Sequence, residues 1–320
     1  MTAPRPVELD PVDGPLVTIG VPCFNSERFV EAAVRSLMTQ DHGAIEILVA
    51  DNASTDSTLD IVGRLAEEDP RIRILTSEHN RGASWNFNRL VTAASGTHFA
   101  WTASDDLRPP DFVSASLEAL AARPDAVLCS SRTVDIDEDG TELHVYPRLA
   151  ESLGDDPVVR FAESVFGHLE CFPVFGLMPM AALRRTQGIG SFSSSDRVLL
   201  SELALLGPSV LVARPLLERR QHAGRSMRLL PKERDRHAWF EPEGANRVAF
   251  PRWRILERYL DMVRRAELGA VERIRCLGVV ARWGWDFKKL LAGDAYYGAR
   301  ARLRSLRARR RGAAPVGQPA

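Results

Sequence analysis

The chain has little of what marks a secreted, membrane-spanning or metal-clustered protein. Its four cysteines, Cys23, Cys129, Cys171 and Cys276, stand far apart in 320 residues and form no CxxC or Cys/His spacing. That argues against a zinc site or a disulfide framework and leaves reduced, buried thiols as the expectation. No run approaches the roughly 18 consecutive apolar residues of a membrane span. The opening MTAPRPVELDPVDGP lacks the basic-then-apolar order of a secretory leader, so a cytoplasmic protein is expected. An excess of charge is missing too. Basic and acidic residues number 42 each, so the whole chain makes no electrostatic case for nucleic acid.

Familiar nucleotide and nucleophile signatures are absent as well. No GxGxxG follows the first strand-like segment, which removes the dinucleotide fingerprint, and no GxxxxGK[ST] suggests a P-loop. GIGSF at 188–192 lacks the GxSxG order of a nucleophile elbow.

What is present is an ordinary globular composition, 45% hydrophobic and 26% charged, with regular alternation of short elements. Apolar, β-branched runs predict strands over 16–22, 45–50, 72–76, 98–102 and 126–131. Between them, helical spacing predicts helices from Ser26 as N-cap with Glu27 in the first turn, then over 56–68, 83–94 (capped by Gly96) and 110–122. This alternation implies an α/β fold, a doubly wound and mostly parallel sheet covered on both faces. Right-handed crossovers would then bring Asn25, Asp51, 77–81 and the pair Asp105-Asp106 to one edge, where open α/β sheets gather ligands.

After Gly140 the rhythm changes. A helix is expected over 155–168, a strand over 171–178, a helix over 195–206 stopped by Gly207-Pro208, and short strands over 210–213 and 216–220. From Pro231 the pattern is helical, and seven arginines with no acid lie between Arg300 and Arg311. The expected organisation is a lead-in over 1–15, a main domain over 16–228 divided near 140, a helical extension over 229–299 and a basic tail over 300–320.

The stretch THFAWTASDDLRPPD at 97–111 is the most informative. Two adjacent carboxylates at a strand end cannot both stay charged and close without a cation, or they must share a proton. A hard divalent ion bridging to a phosphate resolves that conflict. The plain alternative is a solvated turn, since Asp and Pro are common turn formers.

Here the order of motifs becomes specific. VPCFNSERFVEAAVRSLMTQ (21–40), EILVADNASTDST (46–58), NRGASWNFN (80–88) and WTASDDLRPPDF (101–112) resemble the N-terminal half of a family 2 glycosyltransferase of GT-A fold. CFPVFGL (171–177), SDRVLLSELALLGP (195–208) and RRQHAGRSM (219–227) continue the likeness over about two thirds of the chain. The resemblance implies a nucleotide-diphosphate-sugar site. In it Pro22, Phe24, Asn25 and Glu27 lie along base and ribose, Asp51 accepts from the uracil imide, and Arg81 lies near base or diphosphate. Asn88 matches the motif's asparagine. Asp105 and Asp106 then contact the ribose and a Mg²⁺ or Mn²⁺ on the diphosphate, with Arg220 on the diphosphate and His222 completing the metal sphere. The usual Asp-x-Asp-Asp has Ala103 in its first place, so either Asp105 takes the ribose and Asp106 the metal, or Asp105 the metal with Asp106 in support. Asp196 aligns with the catalytic base of an inverting transfer. Its plain alternative is a first-turn acid favoured by the helix dipole.

Other residues carry weaker signals. Arg219 shares the basic loop of Arg220, Glu170 has no firm motif, and His79 and His98 read as structural. Trp85 and Trp101 have the spacing of buried faces. The arginine tail reads as solvated, with peripheral contact to an anionic membrane as the sharper option. With no QxxRW-like run, a processive polysaccharide synthase is not expected. The expectation is therefore an inverting, metal-dependent, UDP-sugar-using enzyme acting on an unspecified acceptor hydroxyl, its oligomeric state left open. The competing expectations are a non-catalytic nucleotide-sugar-binding scaffold, which Ala103 makes thinkable, and a nucleotidyltransferase, which would need a Gly-rich basic loop where PCFNSER stands.

Overall fold

The computed structural model describes residues 14–146, 154–167, 170–225, 233–242, 250–296, 298 and 300. The lead-in up to 13, the tail from 301 and the end of the RRQHAGRSM motif lie outside the described residues.

Four strands form the parallel heart of the fold: β1 (Val17–Cys23), β2 (Ile45–Asp51), β3 (Ile72–Leu75) and β4 (His98–Trp101), in the spatial order β3-β2-β1-β4. β1 and β2 are rich in Val and Ile and buried along almost their whole length, as strands covered on both faces must be. The crossovers are α1 (Val30–Met38), α2 (Thr58–Glu68) and α3 (Ala83–Ala93), and α4 (Phe112–Ala122) leaves β4. α1 turns Val30, Ala33, Val34 and Leu37 inward, a single helical face. One sheet face packs on α1, α2 and α4. The other takes α3 together with α6 (Met180–Leu183) and α7 (Ser195–Leu206).

The mostly parallel α/β architecture is as expected, with local differences. The stretch over 126–131 is not a fifth strand of that sheet. It opens β5 (Leu128–Ile136), which pairs in parallel with the long β8 (Ser209–Arg220) and antiparallel with β6 (Glu142–Val145) in a second sheet. The two short strands expected over 210–220 are one strand. Pro215 sits at a register shift opposite Arg132, where its missing N–H disrupts no regular ladder. The fifth place in the first sheet goes to β7 (Met178–Pro179), antiparallel to β4.

The strand expected over 171–178 is mostly a 3-10 turn, Phe172–Phe175, with Pro173 in its first positions. Gly176 ends it where a Cβ would stand 2.3 Å from the Cys129 carbonyl oxygen, so the chain there lies flush on β5. Ser26 is not the N-cap of α1, which starts after Phe29; its carbonyl instead accepts the N–H groups of Phe29 and Val30. Gly96 is not a helix cap either. α3 ends at Ala93, and Gly96 is required because a Cβ would come within 2.6 Å of the Thr18 nitrogen.

The C-terminal helices α8 (Glu233–Phe240), α9 (Pro251–Arg265) and α10 (Ala270–Asp286) complete the chain. α9 and α10 share a core with α7 and α5 (Pro157–Phe166), built on Phe161, Tyr259, Cys276, Val280 and Trp283. The four cysteines are free thiols. Among the described residues no helix is long and apolar enough to cross a membrane.

One buried cation joins the two sheets. Arg108, 3% exposed, donates to the Thr102 hydroxyl and to the carbonyls of Trp101, Leu216 and Phe175, and lies 4.1 Å over the Phe112 ring. Burial lowers its pKa to about 9. Arg108→Met would leave three buried carbonyls without donors. The expected loss is about 3–5 kcal/mol of unfolding free energy, read as a lower urea midpoint at unchanged slope.

Candidate active site

The parallel register ends β1 and β2 level, with Cys23 opposite Asp51, so the loops after them open on one edge. Two of those loops hold non-glycine residues in the left-handed region, Asn25 at φ 50° and Ala53 at φ 63°. Such conformations persist where surroundings over-determine them, and here the loops are knitted together. The Asn25 N–H donates to Ser54 Oγ, and Asn25 Oδ1 accepts from the Thr55 N–H. Glu27 likewise spends its carboxylate on the Ser57 N–H. Phe24 stands beside them 44% exposed, a free aromatic face, with Pro22 half-buried behind.

Asp51 is 3% exposed. Its Oδ2 accepts the Ser54 N–H at 3.1 Å, while its Oδ1 is buried with no hydrogen-bond partner. A carboxylate oxygen withdrawn from water and unpaired is costly, and it is ready for a donor from a ligand. Arg89 braces this residue from beneath, donating to the carbonyls of Asp51, Leu75 and Thr76 and to Asn86. Burial lowers the Arg89 pKa to about 10. Asn86 bridges the carbonyls of Cys23 and Ala50, and Asn52 holds Asn80, Gly82 and the Arg81 N–H. Arg81 is exposed and lies 4.3 Å over Trp85, which carries Arg89 at 4.4 Å on the same ring system. Trp85 is therefore a cation platform, whereas Trp101 is fully buried.

The acid pair sits where β4 gives way to α4, next to the end of β8. Asp106 is 2% exposed, and its Oδ1 accepts the Arg220 N–H at 3.0 Å. Burial first, and then the Asp105 charge, push its carboxyl up to about 7. Asp105 is more open, and its Oδ2 lies 2.9 Å from His222 Nε2. The two acids thus have different surroundings, one enclosed and one facing outward with an imidazole.

Arg220 was expected on a diphosphate. Its guanidinium contacts the carbonyls of Asp105, Asp137 and Glu138 and lies 5.0 Å from the Phe29 ring. It shapes the loop under the acid pair. Arg219 pairs with Asp135 at 2.7 Å and lies 4.4 Å over Phe172.

Asp196 is in the first turn of α7, after Ser194 at φ 66°. Its Oδ1 accepts the Arg197 N–H at 2.8 Å, and burial raises its carboxyl above the ordinary 3.8 although Arg197 and the Cys171 thiol act the other way. The loop leading to it is gripped from two sides. Asn88 holds Ile189 through both its backbone groups, and Gly188, at φ +65°, makes room for the Asn88 amide. From α9, Arg254 reaches Ser191 and Arg258 reaches the carbonyls of Gln187 and Gly188. Asn88 therefore bears on the Asp196 loop.

Sequence reasoning passed over Asn52, Asn86, Arg89 and Arg108. Each sits inside or beside a quoted motif, but their partners are main-chain carbonyls and amides of distant segments, which leave no mark in spacing. Among the described residues no three His, Cys, Asp or Glu side chains converge as a metal site.

Residues 18–173 match the family model described as Glycosyl transferase family 2. TuaG of Bacillus subtilis (strain 168), named as a teichuronic acid biosynthesis glycosyltransferase, is 31% identical over 146 residues, covering 46% of this chain and 58% of TuaG. Less than two thirds of that relative's length is thus spanned. Two solved structures share the fold. S. aureus TarS 1-349 in complex with UDP-GlcNAc has a TM-score of 0.61 at 17% identity, over 85% of this chain and 73% of that TarS 1-349 chain. The mannosyltransferase PcManGT of Pyrobaculum calidifontis, in complex with GDP-Man and Mn²⁺, has a TM-score of 0.51 at 18% identity, over 95% and 90%. Both neighbours fit a GT-A type architecture with its helical C-terminal region.

Proposed function

With residues 18–173 a domain of glycosyl transferase family 2, we propose that this protein moves a sugar from a nucleotide-diphosphate donor to an acceptor hydroxyl, with inversion at the anomeric carbon. The observation that carries the reading is the buried, unpartnered Oδ1 of Asp51 at the end of β2, on the same sheet edge as the exposed Phe24 ring and the Asp105-Asp106 pair. An ionised carboxylate there suits an imide N–H of a uracil, and UDP-GlcNAc bound to TarS supports a uridine donor.

In this reading Phe24, Pro22 and Asn25 line the base and ribose, with Glu27 fixing their loop. Arg81, stacked and exposed, meets the base or the diphosphate. Arg220 acts from beneath, by holding the Asp105 carbonyl and the Asp106 carboxylate in place. The acceptor oxygen attacks the anomeric carbon as the bond to the diphosphate breaks, and Asp196 takes the hydroxyl proton. Its raised carboxyl is better matched to that task near neutral pH than an ordinary aspartate.

The residues present fit a divalent cation in part. Asp105 and His222 offer an oxygen and an imidazole nitrogen 2.9 Å apart, and Asp106 adds negative charge behind them. That set suits Mn²⁺ and, less well, Mg²⁺, with the diphosphate supplying further oxygens. Bound there, the cation would neutralise charge developing on the departing nucleoside diphosphate. Mn²⁺ in the PcManGT complex is in keeping with this.

Calorimetry with UDP, with and without Mn²⁺, tests the donor site. Asp51→Ala is expected to weaken UDP binding about ten- to a hundredfold by removing a charged acceptor. Equal UDP affinity in that variant would remove Asp51 as the base-reading residue. A screen of nucleotide sugars by nucleoside diphosphate release then identifies the donor. Binding without turnover on a broad acceptor panel would favour the scaffold reading, and full turnover in EDTA would remove the metal.

A further inference from the structure

α10 has two unlike faces. Cys276, Val280 and Trp283 are buried against α5 and α9. On the opposite side Val271, Ile274 and Trp285 stand 71%, 69% and 68% exposed, far more than a helix needs to leave open. Gly278 and Ala281 continue the same stripe between them, so it runs unbroken over about four turns. Helical turns go on over 288–296, where Leu290 and Tyr296 are also exposed.

The rim of this stripe is cationic. The Lys288 ammonium lies 3.3 Å over the Trp285 ring, with Lys289 beside it, and neither lysine has an acidic partner among the described residues. Arg275 and Arg282 flank the stripe in ion pairs with Asp156 and Asp286. Between 287 and 311 the sequence has nine Lys or Arg and one acid, Asp294, which is already engaged with Arg252. An aromatic and aliphatic stripe rimmed by lysines that no acid neutralises among the described residues is the arrangement that lies in a headgroup region, rings at the acyl boundary and ammonium groups among anionic phosphates.

We propose that this face of α10 docks the protein on an anionic lipid bilayer. A second copy of the chain is the competing occupant, because the spacing 271, 274, 278, 281, 285, 288 also suits a helix pair. Charge decides against it. Lys288 stands on the seam itself: a parallel pair would bring like charges together, and an antiparallel pair would set each ammonium against the apolar Val271 end of its partner, with no acid on the stripe to meet it. The inference does not depend on the proposed catalytic reading.

Flotation of the full chain with phosphatidylcholine vesicles, with and without about one third phosphatidylglycerol, tests it. Binding is expected to the anionic vesicles, to weaken in high salt, and to be lost on pure phosphatidylcholine. Ile274→Ser with Trp285→Ser should lower partitioning about tenfold or more, and Lys288→Glu with Lys289→Glu about fivefold per lysine. All four positions are exposed, so thermal melts should stay unchanged, which separates docking from folding. No binding to anionic vesicles overturns the proposal. Wild-type partitioning of the Ile274/Trp285 variant overturns it too, since the basic tail would then suffice alone. A dimer that the same variant dissolves, without vesicle binding, would give the face to a second copy.

Discussion

Asp196→Asn is expected to bind UDP within about twofold of wild type and to turn over donor and acceptor roughly a thousandfold more slowly, within the range general-base removal usually produces. Asparagine keeps the volume and can still accept the Arg197 N–H, so the start of α7 should hold. What is lost is the ability to take a proton. The pH profile of kcat/KM carries a second signature. Because burial raises the Asp196 carboxyl above 3.8, the base is lost to protonation as pH falls through that raised value. The acid limb of wild type should therefore lie above the ordinary aspartate range and vanish from the residual activity of Asp196→Asn. Normal turnover in the variant would return Asp196 to the role of a first-turn helix acid.

The acid pair should give the second large effect, and the two positions should differ. Asp105→Ala removes the outward carboxylate beside His222, with an expected loss of about a hundredfold or more in donor turnover that added Mn²⁺ does not restore. Asp106→Asn keeps an acceptor for the Arg220 N–H while removing the enclosed charge. Its effect on stability has a definite sign. A carboxyl raised to about 7 in the folded chain, against 3.8 in an ordinary one, leaves the native state holding more protons than the unfolded state between those values. Stability from this group is therefore fully present below 3.8 and lost as pH rises through about 7. The melting temperature, measured without divalent cation, should fall from pH 5.5 toward pH 8, and Asp106→Asn should flatten that slope. A melting temperature that climbs over this window, with no change in the variant, would show that Asp106 is not held in such an environment.

The legible part of the fold was the part with period. Val/Ile runs separated by amphipathic helices identified the parallel sheet. They also placed Asn25, Asp51 and the acid pair on one edge, because right-handed crossovers allow little else. Boundaries ruled by single contacts were misread. Ser26 looks like a helix cap and instead shares a hydroxyl contact with Ser104, 2.8 Å away and 78 residues on. The stretch 171–178 is apolar enough for a strand, but Pro173 and the close seating of Gly176 on β5 turn most of it into a 3-10 segment.

The same division runs through the candidate site. Acids, asparagines and arginines could be chosen from motifs because chemistry restricts which residue types can do the work. Their division of labour could not. Arg220 reads in sequence as a diphosphate ligand, yet its guanidinium is taken by three main-chain carbonyls under the acids. Asn88 reads as a donor-site residue, yet it clamps Ile189 on the loop before Asp196.

The sequence by itself determined the layered α/β class, the single edge on which the parallel strands end, and the residue types gathered there. Periodicity and crossover handedness are local and repeat often enough to be read along the chain. Tertiary structure alone decided that Asp106 is enclosed while Asp105 faces His222, that Asp51 keeps one oxygen unpaired, and that the C-terminal helices bury one face and leave Trp285 and Ile274 bare. Those outcomes depend on which distant groups exclude water from each side chain, and desolvation is set by the packed neighbours rather than by the residue or its place in the chain.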